Sequence, residues 1–102
     1  MGIVYLLKDD NGKYKIGITT RKSTKRLKEL QTGNAEEIRV ISEFKSKWFR
    51  KIETSLHNRY GLKRLKGEWF ELDIKDTQNF ISECQSLHDT FKTLEESGNP
   101  FI

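Results

Sequence analysis

Ile3 to Lys8, IVYLLK, is a short apolar run rich in branched and aromatic side chains, and it ends at the polar cluster Asp9-Asp10-Asn11-Gly12. Such a run bounded by turn residues predicts a strand. Asn-Gly is a strong hairpin signal because both residues accept positive φ at little cost. A second strand, Lys13 to Thr19, is therefore expected to return antiparallel beside the first. Its apolar positions are Ile16 and Ile18, and Gly17 between them lets backbone or ligand come close. Side chains alternate along a strand, so Tyr14 and Lys15 should face opposite sides. After the loop Thr20 to Lys22, Ser23 or Thr24 offers an N-cap for a helix from Thr24 to Gln31, with Leu27 and Leu30 as its buried edge and Gly33 near its end.

From Glu37 to Phe44, EIRVISEF places Ile38, Val40, Ser42 and Phe44 on one face, which predicts a third strand with that side more buried. Lys47 to Tyr60 reads as a helix through Trp48, Phe49, Ile52, Leu56 and Tyr60, with Gly61 as its stop. Glu53 and His57 fall one turn apart on a shoulder of that helix. Residues 61 to 67, GLKRLKG, read as a basic loop, and Glu68 to Leu72, EWFEL, as either a fourth strand or an extended plug. Asp73, Asp76 and Thr77 signal the start of a last helix that runs to about Glu96 on the apolar positions Phe80, Ile81, Cys84, Leu87, Phe91 and Leu94, before Gly98-Asn99-Pro100 breaks it. These elements make an α+β fold: a small, mainly antiparallel three-stranded sheet flanked by helices, plus a C-terminal helix.

Length confines the chain to one domain, since 102 residues bury a real core but not two. Hydrophobic residues are 34% and charged residues 33%, so the eleven aromatics must supply much of the core volume. No apolar run is long enough to span a bilayer and the N-terminus lacks the features of a signal peptide, which gives an intracellular, cytoplasmic expectation with no membrane partner. A single cysteine, Cys84, excludes an intrachain disulfide and a Cys-based zinc site; it reads as a plain packing or surface thiol. Chemistry must then come from Tyr, Lys, Arg, carboxylates and two His.

Charge sharpens this. Residues 1 to 72 hold 17 Lys and Arg against 9 Asp and Glu, a net +8, whereas residues 73 to 102 hold 2 against 6, a net −4. Seven cations lie between Lys13 and Lys28, beside an expected helix N-terminus, which is a setting for a polyanion.

Ile3-Val4-Tyr5, then Lys15-Ile16-Gly17, Arg26 nine residues beyond that glycine, and Glu53 on the later helix together resemble the GIY-YIG nuclease superfamily. The likeness is closest to its small phage and microbial subgroup, with a Tyr-Lys-Ile-Gly second motif and late Leu-His and Gly-Glu-Trp-Phe segments, here Leu56-His57 and Gly67-Glu68-Trp69-Phe70. It covers residues 3 to 72, and divides the chain into a nuclease-like domain, 1–74, and a C-terminal helical extension, 75–102, packed on it. The resemblance implies an endonuclease that hydrolyses phosphodiesters in DNA with one divalent ion, Mg2+ or Mn2+. It implies Tyr5 as the group that activates the attacking water, Arg26 as the arginine that steadies the scissile phosphate, and Glu53 as the metal ligand.

Physical chemistry fits these roles: a guanidinium binds phosphate with two parallel hydrogen bonds, and magnesium can be held by one carboxylate plus substrate oxygens. Lys15 stands where the family more often has a tyrosine, and is expected in the site as a phosphate contact or as an acid near the leaving group. His57 is expected to be a structural group or to orient Glu53, with direct water activation or metal binding as the other option. Arg21, Lys22, Lys25, Lys63, Arg64 and Lys66 read as contacts to the nucleic-acid backbone, which give affinity but little sequence choice. Trp69 and Phe70 read as core. A binding module on the same fold that has lost efficient cleavage is the alternative function. A domain of this size also needs a homodimer, a fused partner or a structured substrate to be selective, and the acidic last helix is one route to the dimer.

Overall fold

The computed structural model describes residues 1–20, 23–32 and 37–98, apart from the side chains of Ser23, Thr24, Arg26 and Leu27. The N-cap expected from Ser23 or Thr24, the burial of Leu27, the stop at Gly33 and the break at Asn99-Pro100 lie outside what is described.

β1 (Gly2–Asp9) and β2 (Tyr14–Thr19) pair antiparallel as the pattern predicts, with Tyr5 opposite Gly17 and Leu7 opposite Lys15. Their turn uses only half of the Asn-Gly signal. Gly12 takes φ 77°, but no non-glycine among the described residues has a positive φ. The turn is held instead by the buried Asp9, whose Oδ1 accepts hydrogen bonds from the backbone N–H of Asn11 (3.0 Å) and of Lys13 (2.8 Å). Asp9→Ala leaves both donors without that acceptor and is expected to cost about 1–2 kcal/mol. A thermal melt checks this, and an unchanged midpoint would mean that Gly12 alone sustains the turn.

β3 (Ile38–Ser46) pairs with the other side of β1, also antiparallel. The pairing passes from Leu6 opposite Ser42 to Leu7 opposite Val40, so Ile41 is an extra residue, a β-bulge. The bulge changes what the hydrophobic pattern means. Ile38 and Val40 side with Leu7 and Tyr5 on one face of the sheet, while Phe44 sides with Val4 on the opposite face. The even positions look like one stripe in sequence, yet they serve two cores.

The sheet has five strands, all antiparallel, rather than the three expected. After a 3-10 turn (Gly61–Lys63), the segment expected to be a basic loop forms β4 (Arg64–Lys66), which pairs with β5 (Trp69–Phe70); the spatial order is β3-β1-β2-β5-β4. Gly67, φ 57°, takes the first central position of the two-residue turn Gly67-Glu68, where a II′ hairpin places glycine. Strands of three and two residues are too short for alternation to announce them.

Helices cover both faces. α2 (Phe49–Arg59) and α4 (Phe80–Glu96) bury Phe49, Ile52, Leu56, Phe80 and Cys84 against Val4, Leu6, Ile16 and Phe70. α1 (Ser23–Thr32) lies over the smaller core of Tyr5, Leu7 and Ile38, to which it gives Leu30. The Gln31 side-chain oxygen accepts from the Ile38 N–H (2.8 Å) and fastens α1 to the start of β3. The single last helix expected from the sequence is two. α3 (Ile74–Gln78) starts on a reciprocal capping box between Asp73 and Asp76, and Asn79 separates it from α4. Ile81, expected in the apolar stripe, is exposed. Cys84 is fully buried and its thiol is pushed up to about 12 by that burial, so it is a packing group and no nucleophile.

Candidate active site

β5 covers only Tyr14 and Lys15 of β2. Beyond it, other groups take over the edge of β2. The Ile16 N–H donates to the Glu68 carbonyl (3.2 Å), and the Ile16 carbonyl accepts from His57 Nε2 (2.9 Å). Because a carbonyl can only accept, the proton on His57 sits on Nε2 in this bond. The His57 ring also meets Phe70 edge to face at 5.0 Å. A histidine thus completes what a longer β5 would have provided, and it fixes α2 against β2 immediately before Gly17.

Tyr5 reaches this place from the neighbouring strand. It lies opposite Gly17 in register, and its phenol extends over that glycine so closely that a Cβ there would stand 2.4 Å from the Tyr5 hydroxyl oxygen. Tyr5 is only 1% exposed. Lys15 is two residues along from Gly17 and shares the Tyr5 face, whereas Tyr14 shares the face of Phe70 and the larger core, as alternation predicts. The Lys15 ammonium lies 3.6 Å from a Glu68 carboxylate oxygen and 5.8 Å from the centre of the Trp69 ring. Trp69 is opposite both Lys15 and Lys66, so a lysine, a tryptophan and a second lysine form one row across the sheet.

Glu53 sits one turn before His57 on α2. It is half-buried, and its Oε2 is shut off from solvent with no hydrogen-bond partner among the described residues. Burial is the main cause that raises its pKa above the ordinary carboxylate value; the charge of Glu68 adds to it, and His57, Arg50 and Lys15 oppose it. Glu53, Glu68, Lys15 and His57 are therefore one electrostatic group at the end of β5.

Of the expected site residues, His57 bonds β2 next to Lys15 and Glu53 feels the charges of both, whereas Tyr5 lies over Gly17 on the sheet face opposite the one that α2 covers. The His57 Nε2 engages a backbone carbonyl rather than Glu53. The side chain of Arg26, and Arg21 and Lys22 altogether, lie outside the described residues. Lys25 is exposed on α1, and Lys66 is exposed on β4. Arg64 is exposed too, with its Nε donating to the Gly67 carbonyl. Lys63, expected on the nucleic-acid backbone, has its ammonium held by Asp76 (2.5 Å) and Asp73 (3.4 Å), which raise its pKa, so it serves the start of α3. Phe70 is core, and Trp69 is half-buried against Tyr5 and Leu7. Sequence reasoning passed over Glu68 as a site residue, although it stands inside the Gly-Glu-Trp-Phe segment that carried the resemblance.

Among the described residues no group of three or more His, Cys, Asp or Glu is placed to hold a metal ion. Glu53 nevertheless fits a hard divalent cation, because its Oε2 is a carboxylate oxygen that no donor in the described structure satisfies. No helix of the described residues is long and apolar enough to cross a membrane.

Compared with curated proteins and with solved structures, the chain finds no match in either. It does match the family model of the T5orf172 domain over residues 2–85, from the first strand into α4 and across every residue of the group just described. The chain therefore belongs to the T5orf172 domain family, a phage-associated family related in structure to GIY-YIG- and HNH-like nucleases.

Proposed function

We propose that this domain is a metal-dependent endonuclease of the GIY-YIG type that hydrolyses phosphodiester bonds in DNA. The observation that carries the reading is the half-buried Glu53, with a carboxylate oxygen lacking a hydrogen-bond partner among the described residues, in the field of Lys15 on β2, the strand whose Gly17 lies under Tyr5. Leaving such an oxygen unsatisfied is costly to a fold, and a site that binds a cation on that oxygen explains why it is kept. Glu53 would hold one Mg2+ or Mn2+, which when bound neutralises charge developing on the phosphate oxygens. Lys15 and Arg26 hold the scissile phosphate: Arg26 by paired hydrogen bonds, Lys15 as a point charge that also stabilises the leaving oxygen. Tyr5 takes the proton of the attacking water. A phenol of ordinary pKa about 10 is a poor base at neutral pH, so its task depends on the cations next to it. His57 holds α2, and so Glu53, at the correct height along β2.

The test is cleavage of a panel of duplex, branched and single-stranded DNA with magnesium or manganese. Cleavage is expected with wild type, and a loss of about 10²-fold or more with Arg26→Ala, as for removal of one stabiliser of transition-state charge. Undiminished cleavage by Arg26→Ala would sink the mechanism. One observation favours a second reading, a nucleic-acid-binding module without cleavage: the burial of Tyr5 leaves its hydroxyl little access to water. That reading predicts salt-sensitive DNA binding and no product with either metal.

A further inference from the structure

We infer that Glu68 is a positioning residue that holds Lys15 in reserve, its carboxylate occupying in the unbound protein the place beside the ammonium that a substrate phosphate takes. The inference rests on the DNA-binding part of the proposed function and adds a residue that the proposed mechanism does not use.

The asymmetry of the ion pair carries it. The Lys15 side chain is 14% exposed and that of Glu68 is 40% exposed, at a separation of 3.6 Å. Lys15 is the fixed partner, set by its register opposite Trp69 and Leu7 and lying near the Trp69 ring. Glu68 is the partner that can leave. Its backbone is anchored by the hydrogen bond from Ile16 to its carbonyl, but its side chain projects from the two-residue turn between β4 and β5. An ion pair with one partner this exposed is weak, so a phosphate, with more charge and more acceptor oxygens, displaces the carboxylate into water. Until then, Glu68 keeps a buried-side cation paired and orients it along the sheet face that Tyr5 occupies. The same carboxylate lies close enough to Glu53 to oppose its ionisation, so its departure from Lys15 on binding also changes the field at the proposed metal ligand.

One quantity separates this role from a merely structural or bulk-charge one. In wild type, the cation that leaves the DNA when a phosphate takes Lys15 is offset by the cation drawn to the freed Glu68 carboxylate, so the pair adds little to net counterion release. In Glu68→Gln no carboxylate is freed, and the cation that Lys15 displaces from the DNA counts in full. Binding of a short fluorescein-labelled DNA duplex is measured by anisotropy in EDTA over a range of salt, for wild type, Glu68→Gln, Lys15→Gln and the double variant, with circular dichroism to confirm folding. Glu68→Gln is expected to bind roughly 3–10-fold more tightly at low salt, with the slope of log K against log salt steeper by about 0.9. Both gains should vanish in the Lys15→Gln background. Gains of equal size with and without Lys15, or no gain, overturn the inference while leaving DNA binding intact. Failure of every variant to bind DNA overturns both this inference and the proposed function.

Discussion

Replacing Glu53 with glutamine is expected to slow DNA cleavage severely and, at the same time, to make the protein more stable at neutral pH. Both effects come from one atom. Glu53 Oε2 is buried without a hydrogen-bond partner among the described residues, and burial together with Glu68 raises the pKa of the carboxyl above its ordinary value. A group whose pKa is higher folded than unfolded binds protons more tightly in the native state, so stability falls as pH rises through the window between the ordinary value near 4.5 and the raised one. Above that window the native carboxylate is charged at a cost to the fold. Glutamine keeps the shape and removes the charge, so the variant should melt higher than wild type at pH 7, and the difference should close as the pH drops below that window. Its cleavage rate should fall by about 10²–10³-fold, the usual loss when a group that stabilises transition-state charge is removed. Magnesium gives a third readout. A ligand that binds only the native state raises the melting point, by about 2.7 kcal/mol of stability at a hundred times its dissociation constant. Wild type should show such a rise and Glu53→Gln should not. A variant that cleaves normally, or one less stable than wild type at pH 7, would contradict the assignment.

The parts of this fold that were legible in the sequence are those fixed by side-chain periodicity. β1, β2 and α2 follow from their apolar spacing, and alternation set Tyr14 and Lys15 on opposite faces, with the motif position of Lys15 choosing it for the site; the register puts it on the face of Tyr5. The parts that were not legible depend on backbone groups, which have no identity in a sequence. His57 reads as a partner for Glu53 because both are titratable and one turn apart, but what it binds is the carbonyl of Ile16, a residue of which a sequence shows only the apolar side chain. The bulge at Ile41 is similar. One unpaired residue switches Val40 and Phe44 to opposite faces while the letters continue an unbroken alternation. Glu68 was missed for a third reason: its importance comes from a two-residue turn between strands of three and two residues, which no window of periodicity detects. The candidate site lies where two of these events meet, the His57–Ile16 bond and the Glu68 turn, at the open end of β5; the bulge lies across the sheet on β3.

Gly17→Ala is the substitution that should most directly separate the geometry of this site from its charges. Gly17 does not adopt a positive φ, so its backbone is one that alanine tolerates. What alanine lacks is space. A Cβ at this position would stand 2.4 Å from the Tyr5 hydroxyl oxygen, 2.5 Å from Cζ and 2.8 Å from Cε1. Contacts this short involve the whole outer end of the ring, and that ring cannot simply swing into solvent, because Tyr5 is core together with Leu7 and Ile38. Over-packing of this kind costs about 1–3 kcal/mol, and in a domain of this size each kcal/mol lowers the melting point by about 4–8 °C. Cleavage should fall further than stability. A displacement of the Tyr5 hydroxyl by about 1 Å from its reacting position is worth on the order of 10²-fold, while Glu53, Lys15 and their charges stay where they are. DNA affinity measured in EDTA should therefore change little, which distinguishes this variant from loss of a cation. Tyr5→Phe in the Gly17→Ala background removes the closest of the three contacts, so the double variant should be more stable than the sum of the two single effects predicts, yet remain inactive. Normal stability and normal cleavage in Gly17→Ala would show that the phenol is free to leave its seat over Gly17, and would remove the reason for a glycine at this position.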